Sequence, residues 1–299
     1  MQHYYPEFIL DGNQKWLFNP ILKRRFKNLP EERIRLQWVD YLLENKLWQR
    51  SRIGFETPVK SADPESVLRA DLVLYDQEFR PEILIECKAE SIALTEATAE
   101  QAARYNRELG ARKIILTNGY QHQMFELDQE GAKPTTSVFP FRETEPSSRT
   151  ADYWQRRGFS GDRVPGGPGS WLEPLYLCFS KGCNDGGEIR YLHFSGTILP
   201  VPMDHYYRIV PLAAHEKIAW TLTGFPETDT YALFVLNIRG KNRALGIIKL
   251  SELFSGDSCY FEVLSDGSQE SKVLDTADID FLKRGEPSLL PKFIRKFFD

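Results

Sequence analysis

Apolar positions in residues 31–47 (EERIRLQWVDYLLENKL) fall at Ile34, Trp38, Val39, Leu42 and Leu43, a spacing that keeps one side of a helix apolar. Pro30 precedes them, at a place where the first helical turn has no use for the missing N–H. Residues 52–60 (RIGFETPVK) predict a short extended segment. RADLVLYD at 69–76 and EILIECKA at 82–89 are compact β-type runs, and the polar QEFRP between them suits a hairpin. Residues 95–109 (TEATAEQAARYNREL) are rich in Ala and Glu, with no interior Gly or Pro, and predict a helix. Thr95 is its expected N-cap, Glu96 suits the first turn, and Gly110 is the expected stop. KIILTNG at 113–119 and HQMFELD at 122–128 predict two further strands. The order helix, three strands, helix, two strands predicts an α/β unit: a mixed central sheet flanked by helices.

The pattern changes over residues 131–170, which hold Pro134, Pro140, Pro146, Pro165, Pro168 and the pair Gly166-Gly167. Such punctuation marks a linker or extended arm. Arg142, Arg149, Arg156, Arg157 and Arg163 lie in it; contact with nucleic acid and a merely solvated connector are both open. Beyond it, YALFVLNIRG (231–240) and ALGIIKL (244–250), joined by KNR, are strong strand signals, and YLHFSGTILPV and CYFEVLSDG add to them. PSLLPKFIRKFFD closes the chain with the pattern of a short amphipathic helix. The expected division is a first domain over 1–133, a linker or arm over 134–170, and a second, β-rich domain over 171–299.

Length and composition agree with this division, since 299 residues are a prior for about two domains. A formal net charge of −4 excludes a globally basic DNA-coating protein, but not DNA contact through a local positive patch. The opening MQHYYPEFIL has no basic leader followed by a long apolar run, and no apolar stretch approaches a membrane span. The expected compartment is the cytoplasm, with no membrane partner. Four cysteines, Cys87, Cys178, Cys183 and Cys259, read as free thiols there. Cys178 and Cys183 with His193 and His205 match no usual zinc spacing, so buried or surface cysteines are the better reading. His193, His205 and His215 read as structural.

Candidate chemistry gathers in the first domain. Asp71 opens one predicted strand, and Glu86 and Lys88 stand near the end of the next. Glu86 and Lys88 are two apart and share a strand face; if the strands pair, Asp71 and Glu86 converge at one edge. Two adjacent carboxylates repel unless a cation joins them, and such hard oxygen ligands suit Mg²⁺ or Mn²⁺. Lys88 beside them suits positioning a water or offsetting developing negative charge. A structural salt bridge between Glu86 and Lys88 is the plain alternative, although Glu86 follows the apolar ILI, where an ionised group needs partners. On the next helix Gln101 and Tyr105 are four apart and share a face, as phosphate or carboxylate partners or as a half-buried amide and a core tyrosine. Glu32 is either a further carboxylate of the site or a helix-start acid. Lys23, Arg24, Arg25 and Lys27, extended by Arg33, Arg35, Arg50 and Arg52, form a basic cluster that suits a nucleic-acid backbone; a solvated charged loop is the equal alternative.

Strand-Asp, strand-Glu-x-Lys and helix Gln-x-x-x-Tyr in that order resemble the PD-(D/E)XK nuclease superfamily. More narrowly, LPEERIR (29–35), RADLVLYD (69–76), LIECKA (84–89), EQAARYN (100–106) and LTNGYQH (116–122) resemble the nuclease domain at the N-terminus of type I restriction enzyme R subunits. The resemblance covers approximately residues 15–130, and Ala70 replaces the proline of the superfamily name. It implies a restriction-endonuclease-like fold. Asp71, Glu86 and the Cys87 backbone carbonyl would be metal ligands, Lys88 the catalytic lysine, Gln101 and Tyr105 the supporting motif, and Glu32 an accessory acid. No Gly-x-x-x-x-Gly-Lys-Ser/Thr loop is present, so no ATP-driven motor accompanies them. The expected activity is Mg²⁺-dependent endonucleolytic hydrolysis of DNA, in restriction-modification or defence. The competing expectations are a DNA-binding or regulatory subunit that cuts only with a partner, and a protein-interaction module acting through the β-rich half. DNA, a second copy in a homodimer and a defence-system protein are the expected partners.

Overall fold

Residues 4–11, 14–59, 68–128, 131–135, 150–159, 175–176, 178–179, 187–194, 203–224, 230–255, 259–284 and 286–299 are described by the computed structural model. The chain divides into two compact units, Met1–Ile9 with Trp16–Thr144, and Leu10–Lys15 with Glu145–Asp299. Strands β1 (Phe8–Asp11), β2 (Gln14–Asn19) and β3 (Arg24–Phe26) form a small sheet in that order. The turn from β2 to β3 is tied by Asn19, whose Oδ1 accepts from the backbone N–H groups of Ile21 and Leu22 at 2.8 and 3.0 Å.

Helix α1 (Pro30–Glu44) begins at the expected proline and buries Ile34, Trp38, Val39 and Leu42 completely. The larger sheet of the first unit has the order β4 (Ile53–Val59), β5 (Leu68–Tyr75), β6 (Pro81–Cys87), β7 (Lys113–Thr117), β8 (His122–Asp128), β9 (Gly131–Pro134). Only β6 and β7 run parallel, because helix α2 (Glu96–Leu109) carries the chain between them; every other neighbouring pair is antiparallel. The β5–β6 hairpin closes where Asp76 Oδ1 accepts from the N–H groups of Glu78 and Arg80 at 2.9 and 2.8 Å. At the start of α2, Thr95 N–H donates to Thr98 Oγ1 at 2.9 Å; at its end Gly110 takes φ 71°, a conformation that costs glycine little.

The sheet is covered on both faces. Val73, Leu84, Ile114 and Leu116 pack with Ala102 of α2 and Leu94 before it. Leu72, Leu74, Ile83 and Ile85, pointing the other way, are equally buried, and α1 lies against β6. Burial on both sides explains why β5 and β6 read as almost unbroken apolar runs. It also makes Asp71 and Glu86 conspicuous in them.

Residues 131–134, where the sequence pattern changes and the expected first domain gives way to the linker, form edge strand β9 on β8. GAKP has no apolar alternation, and pairing with β8 gives it its place. Further on, α3 (Ala151–Gln155) is a short helix capped by Thr150 and followed by the buried Phe159. Arg156 pairs with Asp152 at 2.9 Å, and Arg157 is buried over the Tyr153 ring; Arg142, Arg149 and Arg163 lie outside the described residues.

The second unit is an antiparallel meander of β10 (Glu188–Phe194), β11 (Met203–Ala213), β12 (Glu216–Gly224), β13 (Thr230–Ile238), β14 (Lys241–Lys249), β15 (Cys259–Ser265) and β16 (Ser268–Leu274), each paired with the next. The expected β-rich domain is present, and β13 and β14 are the two strands read from their sequence. One cluster of its core comprises Phe194, Tyr207, Ala219, Leu233, Val235 and Leu245. Elsewhere Trp220 stacks on Phe234 and meets Phe179, while Phe261 packs against Phe297 and Phe298 of the C-terminal segment. Gly246 is required at its place, since a Cβ there would stand 2.1 Å from Phe261 Cζ. Cys87, Cys178 and Cys259 are buried, and Cys183 lies outside the described residues. Among the described residues, no helix is long and apolar enough to cross a membrane.

Candidate metal centre

The ladder of the first unit puts three carboxylates at one level. Phe55 faces Leu72 and Thr57 faces Ala70, which brings Glu56 to the level of Asp71. Leu72 faces Ile85, so Glu86 is the next position on the other side of Asp71. Glu56 itself drops out of the ladder, with φ 48° in the left-handed region that side chains seldom adopt. Such strain persists only where the surroundings hold it, and three arginines do. Arg24, Arg35 and Arg69 reach the Glu56 carboxylate at 3.4, 3.4 and 3.7 Å.

Asp71 is gripped from two sides. Its Oδ2 accepts from the Cys87 N–H at 2.7 Å, which sets the carboxylate against the Glu86–Cys87 peptide. Its Oδ1 lies 2.8 Å from Arg35 Nε, an ion pair whose N–H is not aligned to donate a good hydrogen bond. Arg35 also pairs closely with Glu32 on its own helix. Glu86 offers Oε1 to Lys88 Nζ at 2.8 Å, and the same ammonium reaches Gln101 Oε1 at 3.2 Å. The backbone of Lys88 is fixed in turn, because its N–H donates to Thr117 O at 2.8 Å. The other Glu86 oxygen, Oε2, is buried with no hydrogen-bond partner, as is Oε2 of Glu32.

Electrostatics follow from this crowding. Burial, and then the charge of Asp71, push the Glu86 carboxyl up to about 7, against the pull of Lys88. Burial pushes Glu32 up to about 7 as well; Arg35 opposes it, while Glu56 and Asp71 add to it. Asp71 is raised by burial in spite of Arg35 and the Cys87 N–H. Burial works against the Lys88 ammonium, but its bond to Glu86 carries it above the usual lysine value. The Cys87 thiol is pushed far up by burial, so it is no thiolate. Carboxylates kept from ionising by burial, and then by one another, are relieved by a cation between them.

The expected members Asp71, Glu86, Lys88 and Gln101 thus come together, with Glu32 linked to them through Arg35. Tyr105 lies on α2, and its side chain is outside the described set. Sequence reasoning misses Glu56 and puts Arg35 in a basic cluster open equally to a nucleic-acid backbone and to solvent. Arg35 is instead committed to carboxylates inside the fold, and Arg33 is buried with a bond to Asn28 Oδ1 at 3.0 Å. Lys23, Arg24, Arg25 and Lys27 remain exposed around the β2–β3 hairpin, Arg25 lying over the Trp16 ring at 4.8 Å. No group of three or more His, Cys, Asp or Glu side chains placed to hold a metal occurs among the described residues. A cation here needs backbone oxygen or water beside the two strand carboxylates.

Comparison with known proteins finds one likeness, and it falls on the first unit. Residues 30–138, which span every member of the site, match the family model of the type I restriction enzyme R protein N terminus (HSDR_N). No curated protein and no solved structure matches the chain.

Proposed function

We propose that this protein is a metal-dependent nuclease of restriction or defence, with a restriction-endonuclease-like PD-(D/E)XK fold in its first unit. The observation that carries the reading is the buried, unpartnered Glu86 Oε2 beside Asp71, with Lys88 on the opposite oxygen of the same carboxylate. A lone buried carboxylate oxygen is costly without a cation or donor, and these residues fit a divalent ion. Asp71, Glu86 and the Cys87 carbonyl would hold Mg²⁺ or Mn²⁺. The ion, when bound, supplies a bound water of lowered pKa and charge stabilisation at a phosphoryl oxygen. Lys88, held between Glu86 and Gln101, would orient an attacking water and offset charge developing on the phosphate. DNA is the proposed substrate, approached over the exposed Lys23, Arg24, Arg25 and Lys27. One site cuts one strand, so duplex cleavage calls for a homodimer or two encounters.

The test is cleavage of supercoiled and linear DNA with Mg²⁺, Mn²⁺ or EDTA. Lys88→Ala and Glu86→Gln are expected to lower the metal-dependent rate by on the order of a hundredfold or more. Equal rates for wild type and both variants would sink the nuclease reading. The second reading, a DNA-binding subunit that cuts only with a defence-system partner, is favoured by one observation, the Arg35 guanidinium already on Asp71. Binding without cleavage under every metal, turned into cleavage by a partner, would select it.

A further inference from the structure

Arg35, on α1, enters the carboxylate row. It lies at 2.8 Å from Asp71 Oδ1 and 3.4 Å from Glu56 Oε1, and it pairs with Glu32. Its side chain is 13% exposed and that of Asp71 9%, so water screens the contact poorly. Asp71 is also one of the two side chains best placed to ligate a metal. Its second oxygen is already engaged by the Cys87 N–H, which leaves Oδ1 as the oxygen for which a guanidinium and a metal ion are rivals. The rivalry has a way out, because Glu32 and Glu56 can keep the guanidinium charge when Asp71 is given up. Glu56 holds its strained backbone at that place, and Glu32 carries a buried oxygen without a partner.

We propose that Arg35 competes with the divalent cation for the Asp71 carboxylate, with Glu32 and Glu56 as its alternative home, so that this one side chain sets how tightly the centre takes its metal. The inference rests on the metal-centre reading above. Arg35 is a positioning residue and touches no substrate. Its device needs no large movement, only a transfer of one guanidinium between carboxylates already within its reach.

The experiment is calorimetric titration of the 299-residue chain with Mn²⁺, without DNA. Arg35→Gln is expected to tighten binding by about tenfold, within the range of ordinary coupling between two sites. Arg35→Lys keeps the competing charge and is expected to stay near wild type. Glu56→Gln, a near-isosteric change at a partly exposed position, removes part of the alternative home and is expected to loosen binding severalfold. Asp71→Asn is expected to abolish it. If wild type binds, Asp71→Asn does not, and Arg35→Gln is unchanged or weaker, the competition is overturned while the metal centre stands. An unchanged Glu56→Gln overturns it also, should Arg35→Gln not fold. If wild type fails to bind but Arg35→Gln binds, the competition is supported in its strongest form. If neither binds, both readings fall.

Discussion

Lys15 illustrates how a single side chain can tie stability to pH. In the second unit its ammonium rests on Asp204 O at 3.3 Å and Thr223 Oγ1 at 3.5 Å, both long bonds for a charge. Burial lowers its pKa to about 8, and the charge of Asp204 only partly opposes the shift. The folded value lies below the ordinary lysine value of about 10.4, so folding carries a cost while the unfolded chain holds the proton more tightly. That cost is full below about 8 and fades as pH rises towards the unfolded value. Wild-type stability is therefore expected to rise, relative to Lys15→Met, by on the order of 1–3 kcal/mol between pH 7 and pH 10. Urea denaturation of the two proteins across that range measures it, and parallel profiles would exclude Lys15 as the source.

At the scale of elements, the first unit owes its order to polar residues at the joints as much as to its apolar runs. Asn106, near the end of α2, is buried and grips Ala111 twice, Nδ2 donating to its carbonyl at 2.8 Å and Oδ1 accepting from its N–H at 3.0 Å. That clasp aims the chain into β7. Asn106→Ala leaves both Ala111 groups unsatisfied and is expected to cost about 2–4 kcal/mol, read from chemical denaturation. The α1 stripe, the β5–β6 hairpin, Thr95 and Gly110 were legible because each is a local pattern with a local cause. Glu56 and the true role of Arg35 were not, since their meeting depends on the pairing of β4 with β5 and on the packing of α1. No spacing in one segment reports that. β9 escaped for the opposite reason, as its four residues carry no side-chain pattern. Of the site, the strand carboxylates, Lys88 and Gln101 could be read in advance, while the counter-ions around them could not. In the second unit β11 and β12 went unread, Pro211 and the charged ends of both strands blurring their alternation.

For the whole molecule the formal charge of −4 sets a condition on any encounter with DNA. Long-range attraction is weak, and contact must come from a local surface such as the β2–β3 hairpin, where Lys23, Arg24, Arg25 and Lys27 are exposed. At most four phosphates can be neutralised by these four side chains. The slope of log affinity against log salt for duplex DNA is then expected to be no steeper than about −4. The double substitution Lys23→Ala with Lys27→Ala is expected to make it shallower by about 2. Fluorescence anisotropy over a salt series gives both slopes; a steep slope that ignores the double substitution would move the DNA contact elsewhere.

The proposed cutting groups come from one hairpin and the helix after it, between Asp71 and Gln101. Loops this short close quickly and need nothing from distant parts of the chain. During synthesis this stretch leaves the ribosome well before the strands from Glu188 onward exist. The proposed cutting groups are thus made before the later sheet, and for that interval any restraint on them would come from what is already made. Arg35 precedes all of the groups from Asp71 to Gln101 in the chain.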